Sequence, residues 1–162
     1  MTKLSTKREV NALAYLCALV YFISYVSRIN LAAVMVEMVA SGFAPQTTAA
    51  LALTVCSVTY GAGQLISGFL GDRIQPKRLV LFGLLLTAAM NLSVPFCTSA
   101  TLLTLVWAVN GFAQSLMWPP MVRLMVTLLS GEDYKKACFV VTCAGSMGTV
   151  LIYLTSPLII TA

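Results

Sequence analysis

The sequence predicts an all-α, polytopic membrane helix bundle, and three observations predict it. Apolar residues make up 59% of the 162 residues and charged residues only 9%, against about 25% charged in an ordinary soluble domain. Mean hydropathy is +0.92. The apolar residues fall in five continuous runs, each close to the roughly 20 residues that carry a helix across a bilayer. A chain so poor in charge cannot cover a water-soluble surface, which excludes a soluble globular enzyme, a disordered tail and a coiled coil. Continuous rather than alternating runs argue against a transmembrane barrel.

The first segment runs from about Val10 to Ala40. At about 30 residues and 1.5 Å per residue it must tilt or project into water. Lys3, Lys7 and Arg8 precede it, as in a secretory signal. The run is too long for that, and no small-residue cleavage site closes it, so a retained helix is expected. Ser41-Gly42-Phe43-Ala44-Pro45 breaks the chain before the second segment, about Thr48 to Leu70. Gly71 to Arg78 leads to the third, about Leu79 to Phe96. Thr98-Ser99-Ala100 is a very short link to the fourth, about Leu102 to Leu129, which Pro119-Pro120 interrupts. Ser130 to Lys136 precedes the fifth, about Ala137 to Ile160. Such short links make successive helices antiparallel neighbours, so residues 1–162 read as one membrane domain without a soluble module.

Orientation follows from the basic residues. With the N-terminus in the cytoplasm, Lys3, Lys7, Arg8, Arg73, Lys77, Arg78, Lys135 and Lys136 all lie inside, eight of the ten. The outward loops hold none, which is a strong positive-inside pattern for a multi-pass protein of the cell membrane. The net charge of +5 is then topology, and nucleic acid is not needed as a partner. There is no histidine, so no His-based metal site or triad can be built. Cys17, Cys56, Cys97, Cys138 and Cys143 show no CxxC spacing and read as small packing residues. No metal or cofactor is expected.

Arg28 is the most informative residue. It sits deep in the first segment, where an arginine costs roughly 2.5–3.5 kcal/mol and normally faces a cavity or a partner. Its planar fork suits carboxylate or phosphate. The bland alternative is an ion pair with Glu37, but nine residues put the two about 13 Å apart on one helix. Tyr21, Tyr25 and Arg28 share a face at i, i+4, i+7, a donor-rich wall for an anion; an interfacial aromatic belt is the competing reading. Asn30 lies off this face and is expected to bond a neighbouring helix. In the second segment Ser57, Tyr60, Gln64 and Ser67 form a polar face that should look into the bundle, while Gly63, Ser67 and Gly71 form a small-residue row. Asn110, Gln114 and Trp118 stripe the fourth segment, bordering either a transport path or a simple kink. Arg123, near the basic end, is expected to snorkel to headgroups or to the Asp72 region.

Gly68-Phe69-Leu70-Gly71-Asp72-Arg73-Ile74-Gln75-Pro76-Lys77-Arg78 resembles the cytoplasmic loop motif of the major facilitator superfamily, between its second and third helices. The resemblance implies a gating motif of Gly68, Asp72, Arg73, Lys77 and Arg78, with Asp72 and Arg73 as contacts between helix ends. Gln75-Pro76-Lys77, the stretch from Trp107 to Met125 and Ser24 to Asn30 look more narrowly like the organophosphate:inorganic phosphate antiporters, the glycerol-3-phosphate and hexose-phosphate transporter group. By that likeness Arg28 is the anion ligand and Tyr21, Tyr25 and Tyr60 line the site. Gln64, Asn110 and Gln114 would add hydrogen bonds. Three positions depart from the group: Gln64 stands for its second-helix lysine, Gly145 for its fifth-helix histidine, and Trp107 for a fourth-helix arginine of proton-coupled facilitators.

The resemblance implies twelve helices in two halves around a midplane site, and this chain reads as five. It is expected to be a fragment or truncated product of a secondary transporter for a small solute, an organic anion or phosphate ester, and not an enzyme. Its expected partners are the lipid bilayer, the anionic solute, and a missing C-terminal half or another copy of the chain. Two further readings remain: a membrane sensor of a sugar phosphate, and a small subunit that oligomerises through the Gly63/Ser67/Gly71 face.

Overall fold

The computed structural model describes residues 3–160, with only the backbone described at 157, 159 and 160. Residues 1, 2, 161 and 162, and with them both ends of the expected single domain, lie outside the described residues. The chain forms α1 (Lys7–Ala40), α2 (Gln46–Arg73), α3 (Pro76–Ser93) with a 3-10 turn over Val94–Phe96, α4 (Ala100–Ser115), α5 (Trp118–Leu128) and α6 (Gly131–Ile160). With α4 and α5 counted as one span, five stretches are long and apolar enough to cross a membrane. The helices overrun the apolar runs at their charged ends. α1 starts at Lys7 and α2 continues to Arg73, because charged residues extend a helix into the headgroup layer at little cost.

Each boundary has a local cause. α1 ends in a Schellman arrangement: Phe43 N–H donates to Met38 O (3.2 Å), Gly42 N–H donates to Val39 O (3.1 Å), and Gly42 sits at φ +74°. That left-handed backbone is open to glycine at no steric cost. Pro76 opens α3 at a position where its missing N–H is no loss. Ser99 caps α4 by accepting from Leu102 N–H at 3.2 Å. The hydroxyl of Ser130 donates to Asp133 Oδ2 at 2.5 Å and accepts from Asp133 N–H, a side-chain cap for α6. The fourth segment is not merely kinked. α4 stops at Ser115, Leu116 and Met117 turn, and α5 restarts at Trp118, immediately before the two prolines.

α1 packs chiefly on α6, and α2 chiefly on α4, with α3 laid against α4 and α5. Missing side chains permit the approach. A Cβ on Gly145 of α6 would lie 2.9 Å from a Tyr21 ring carbon, and one on Gly148 would lie 2.8 Å from the carbonyl oxygen of Phe22. At Gly63 of α2 it would meet Ser115 Cβ at 2.8 Å, and at Gly83 of α3 the carbonyl oxygen of Ala113 at 2.8 Å. Small residues replace the hydrophobic drive that helices lack in lipid. Of the Gly63/Ser67/Gly71 row, Gly63 packs within this chain against Ser115, while Ser67 and Gly71 border a cleft towards α5.

One core cluster gathers Cys17, Tyr21, Met121, Met125 and Val141 between α1, α5 and α6. A second gathers Leu31, Ala52, Cys56, Leu103 and Trp107 towards the opposite end. Outward, large apolar side chains stand exposed, Leu65 at 81% and Leu92 at 73% among them, as a lipid-facing surface requires. Hydroxyls on the helices bond back to their own turn, as Thr54 to Ala50 O and Thr142 to Cys138 O do. Such a bond satisfies a polar group without a neighbour. Ser57 does the same, donating to Leu53 O at 2.9 Å, and it is exposed. The second segment's polar face is thus only partly inward, contrary to expectation. Asn30 reaches across to α3, its amide donating to Asn91 Oδ1 at 2.6 Å.

Candidate functional site

Arg28 lies about 32 Å along α1 from Lys7 and about 18 Å from Ala40 at helical rise. Its guanidinium carbon sits 4.1 Å from the ring centroid of Tyr60 on α2 and 5.0 Å from that of Tyr25. Each such contact attracts the cation by about 0.5–2 kcal/mol. These rings offset part of the insertion cost of the charge without neutralising it. Among the described residues Arg28 has neither a hydrogen bond nor an ion pair, and its buried Nε is without an acceptor. Glu37 does not reach it, and Glu37 Oε2 is likewise buried and unpartnered.

A cavity of about 270 Å³ opens beside Arg28, between α1, α2, α4 and α6. Ile29, Leu53, Cys56, Ser57, Tyr60, Trp107, Gln114 and Tyr153 are among its lining residues. The expected site residues divide around it. Arg28, Tyr60 and Gln114 line it. Tyr25 touches it through Arg28, while Tyr21 stands one turn back, its hydroxyl 3.4 Å from that of Tyr25 and its ring 4.8 Å from Trp118. Gln64 lies outside the lining and donates to the Tyr60 hydroxyl at 2.7 Å, orienting that ring. Asn110 is not in the cavity: it is fully buried, and neither end of its amide finds a partner among the described residues.

Gln114 is tied down by a residue the sequence reading passed over. Ser24 donates to Gln114 Oε1 at 2.5 Å, and Gln114 Nε2 donates to the Ser24 carbonyl at 3.2 Å. This pair joins α1 to α4 behind the cavity. Ser24 shares the face of Tyr21, Tyr25 and Arg28, so its spacing was a signal. Tyr153, from the fifth segment, carried no such signal, because its place depends on how α6 crosses α1.

At the basic end a second arginine behaves differently. Arg123 of α5 donates to Asp72 Oδ1 at 2.5 Å and also to the carbonyl oxygen of Gly71. Arg123 and Asp72 are 44% and 75% exposed. Of the expected gating motif, Asp72 therefore clasps α5, and Arg73 stacks on Phe69 at 4.3 Å. Lys77 lines a cleft shared with Asp72 and Arg123, while Gly68 lines a neighbouring one. Arg78 is exposed and forms no ion pair among the described residues.

A larger cleft of about 550 Å³ lies between α1, α3 and α5. Its walls are leucine, valine and methionine, with Glu9 and Lys77 at the basic end, so it offers little to recognise a polar solute. Among the described residues no group of three or more His, Cys, Asp or Glu could hold a metal.

The family model for the major facilitator superfamily matches residues 17–162. The chain belongs to the major facilitator superfamily. Its relatives sharpen the placement within that family. The membrane sensor protein UhpC of Salmonella typhimurium is 30% identical over 113 residues, 70% of this chain and 26% of the relative. The glycerol-3-phosphate transporter of Bacillus subtilis is 33% identical over 105 residues, 62% of this chain and 23% of the relative. A probable hexose phosphate transport protein of Chlamydia trachomatis is 30% identical over 76 residues, 47% and 17% of the two chains. These relatives match the organophosphate antiporter group of the superfamily. The facilitator chain described here spans about a quarter of their length or less.

Proposed function

We propose that this chain supplies the anion-holding part of a secondary transporter for a small organic anion, with Arg28 as the main ligand. The observation that carries the reading is an arginine at membrane depth, stacked on two tyrosines and without an acceptor, beside a cavity. Evolution retains such a charge in lipid where it does work. Tyr25 and Tyr60 hold the guanidinium, and Gln64 fixes Tyr60. Gln114 holds the wall of the cavity through Ser24. A phosphate ester is the substrate that the names of the relatives suggest. The chain would work as a fragment of a larger carrier, with a second half or another copy rocking against it around the site. The Asp72–Arg123 pair would latch the cytoplasmic end, with the N-terminus on that side. The role is carriage rather than catalysis: among the described residues Glu37 is the one acid at membrane depth, and no nucleophile–base pair accompanies it.

The test is uptake of labelled organic anions into cells expressing the chain with the remainder of its carrier. Arg28→Ala should abolish uptake, and Arg28→Lys should retain a fraction. Full uptake by Arg28→Ala would refute the site. A sensing role is the second reading, favoured by a relative named as a membrane sensor that covers 70% of this chain. Signalling lost in Arg28→Ala, with no flux in either protein, would select it.

A further inference from the structure

We propose that a bound water joins Thr87 of α3 to Asn110 of α4, in a site that this chain encloses by itself. Both side chains are buried, Asn110 completely and Thr87 to 2% exposure. The Thr87 hydroxyl, the Asn110 carbonyl oxygen and the Asn110 amide nitrogen have no hydrogen-bond partner among the described residues. Buried polar groups in folded proteins nearly always have one, from protein or from ordered water. Because this chain already covers both residues, a second half or copy packing on the bundle could not reach them.

The antiparallel register of α3 on α4 brings the two residues to one level. A Cβ on Gly83 would lie 2.8 Å from the carbonyl oxygen of Ala113. Further along α3, Asn91 shares a cavity of about 180 Å³ with Trp107 of α4. Thr87 lies four residues from both Gly83 and Asn91, and Asn110 lies three from both Ala113 and Trp107. The pair therefore falls between two observed contacts, on the same faces of the two helices. Thr87 also departs from the habit of its neighbours. Thr54, Thr104, Thr142 and Thr155 each donate to the carbonyl four residues back, which satisfies a hydroxyl in lipid. Thr87 forms no such bond, so its hydroxyl is left for a partner across the seam.

The chemistry of these atoms selects water. The Asn110 carbonyl oxygen needs a donor, its amide nitrogen needs an acceptor, and the Thr87 hydroxyl can be either. A cation would face the amide N–H groups, and an anion would face the carbonyl oxygen. Water both donates and accepts, and three polar atoms are about the number that hold a buried water. The cavity one turn along gives it a partly polar way in. Asn30 and Asn91 line that cavity with their amides paired, and Asn91 Nδ2 donates to the Thr87 carbonyl at 2.9 Å. In this place the water fastens α3 to α4 by polar bonds, along a seam where apolar contact has no solvent-driven advantage.

The test is solid-state NMR of the 162-residue chain, labelled with ¹⁵N and reconstituted in lipid bilayers. It measures how fast water protons polarise the Asn110 side-chain amide, a signal assigned by its loss in Asn110→Leu. Build-up there should be several-fold faster than at the backbone amides of Ala52 and Val141, residues that are just as fully buried. Thr87→Val, which removes the hydroxyl and keeps the shape, should slow the build-up at Asn110 several-fold. Thr87→Ser, which keeps the hydroxyl, should preserve it. Thr87→Val and Asn110→Leu together should lower the melting temperature by less than the sum of their separate losses, because either alone strands the groups of the other. Build-up at Asn110 as slow as at Ala52 and Val141 would overturn the water site, and this result needs no Thr87 variant to fold. Fast build-up left unchanged by Thr87→Val, with helicity retained by circular dichroism, would overturn the bridge to Thr87. Additive melting losses would overturn it as well.

Discussion

Two arginines, Arg28 and Arg123, stand within the apolar runs of this bundle, and their surroundings are opposite. Arg123 has an acid and a backbone carbonyl as partners, is half exposed, and ties the end of α2 to α5. Arg28 has only the faces of Tyr25 and Tyr60. An aromatic face attracts a cation without accepting its N–H groups in hydrogen bonds, so the donors of Arg28 remain available. The difference teaches how to tell a fastening charge from a receiving one. The first has its hydrogen bonds filled from within the chain, and the second has them held open at a cavity.

The contrast can be broken most forcefully at Arg28. Arg28→Ala should cut anion affinity by about a hundredfold, the scale of a desolvated charge-assisted contact, while Arg123→Ala should change it by less than about twofold. Equilibrium binding to both variants checks this. Next in size is the seam on which both arginines depend. Gly63→Leu should cost about 1–3 kcal/mol of stability by overpacking against Ser115, whereas Gly71→Ala, with open space around its Cβ, should be nearly neutral. Thermal melting in detergent compares the two. Arg28→Lys keeps the charge but loses the planar fork, and about tenfold weaker binding is expected. Asp72→Asn removes an exposed ion pair and should cost less than about 1 kcal/mol, an effect that shrinks further in high salt.

The smallest expected effect is none. With no histidine in the chain, no side chain has an ordinary pKa between about 5 and 8. Carboxylate binding should be flat from pH 6 to 8. A phosphate ester would show a step, because its second ionisation falls near pH 6. The pH profile therefore reads the ligand rather than the protein.

The spans, the interruption at the paired prolines and the depth of Arg28 in the first span were legible in the sequence, because hydropathy, proline chemistry and helical rise are local properties. The Arg123–Asp72 contact was legible in part, since both residues fall near the basic end. The contents of the cavity were not. Helical spacing put Asn110 and Gln114 on one stripe, yet Gln114 lines the cavity and Asn110 is buried away from it. A helical wheel defines a face but not which neighbour covers each part of it. That is decided by crossings set at Gly63, Gly83 and Gly145, where the contact partner lies tens of residues away. Tyr153 was missed for the same reason, since its place exists only once α6 has met α1, whereas Ser24 already stood on the Tyr21, Tyr25 and Arg28 face and only its partner Gln114 was out of reach of the sequence.

The interruption at Leu116 and Met117 has a mechanical consequence. A continuous helix carries a push from one end to the other, and a joint does not. Arg123 sits on α5, below the joint, while Gln114 and Trp107 sit on α4, above it. Were the Asp72 clasp to open under the proposed function, a tilt of α5 would be absorbed at the two joint residues and the wall around Arg28 would keep its register. The span would then be two levers on one pivot, and an end that opened would not disturb an end that gripped.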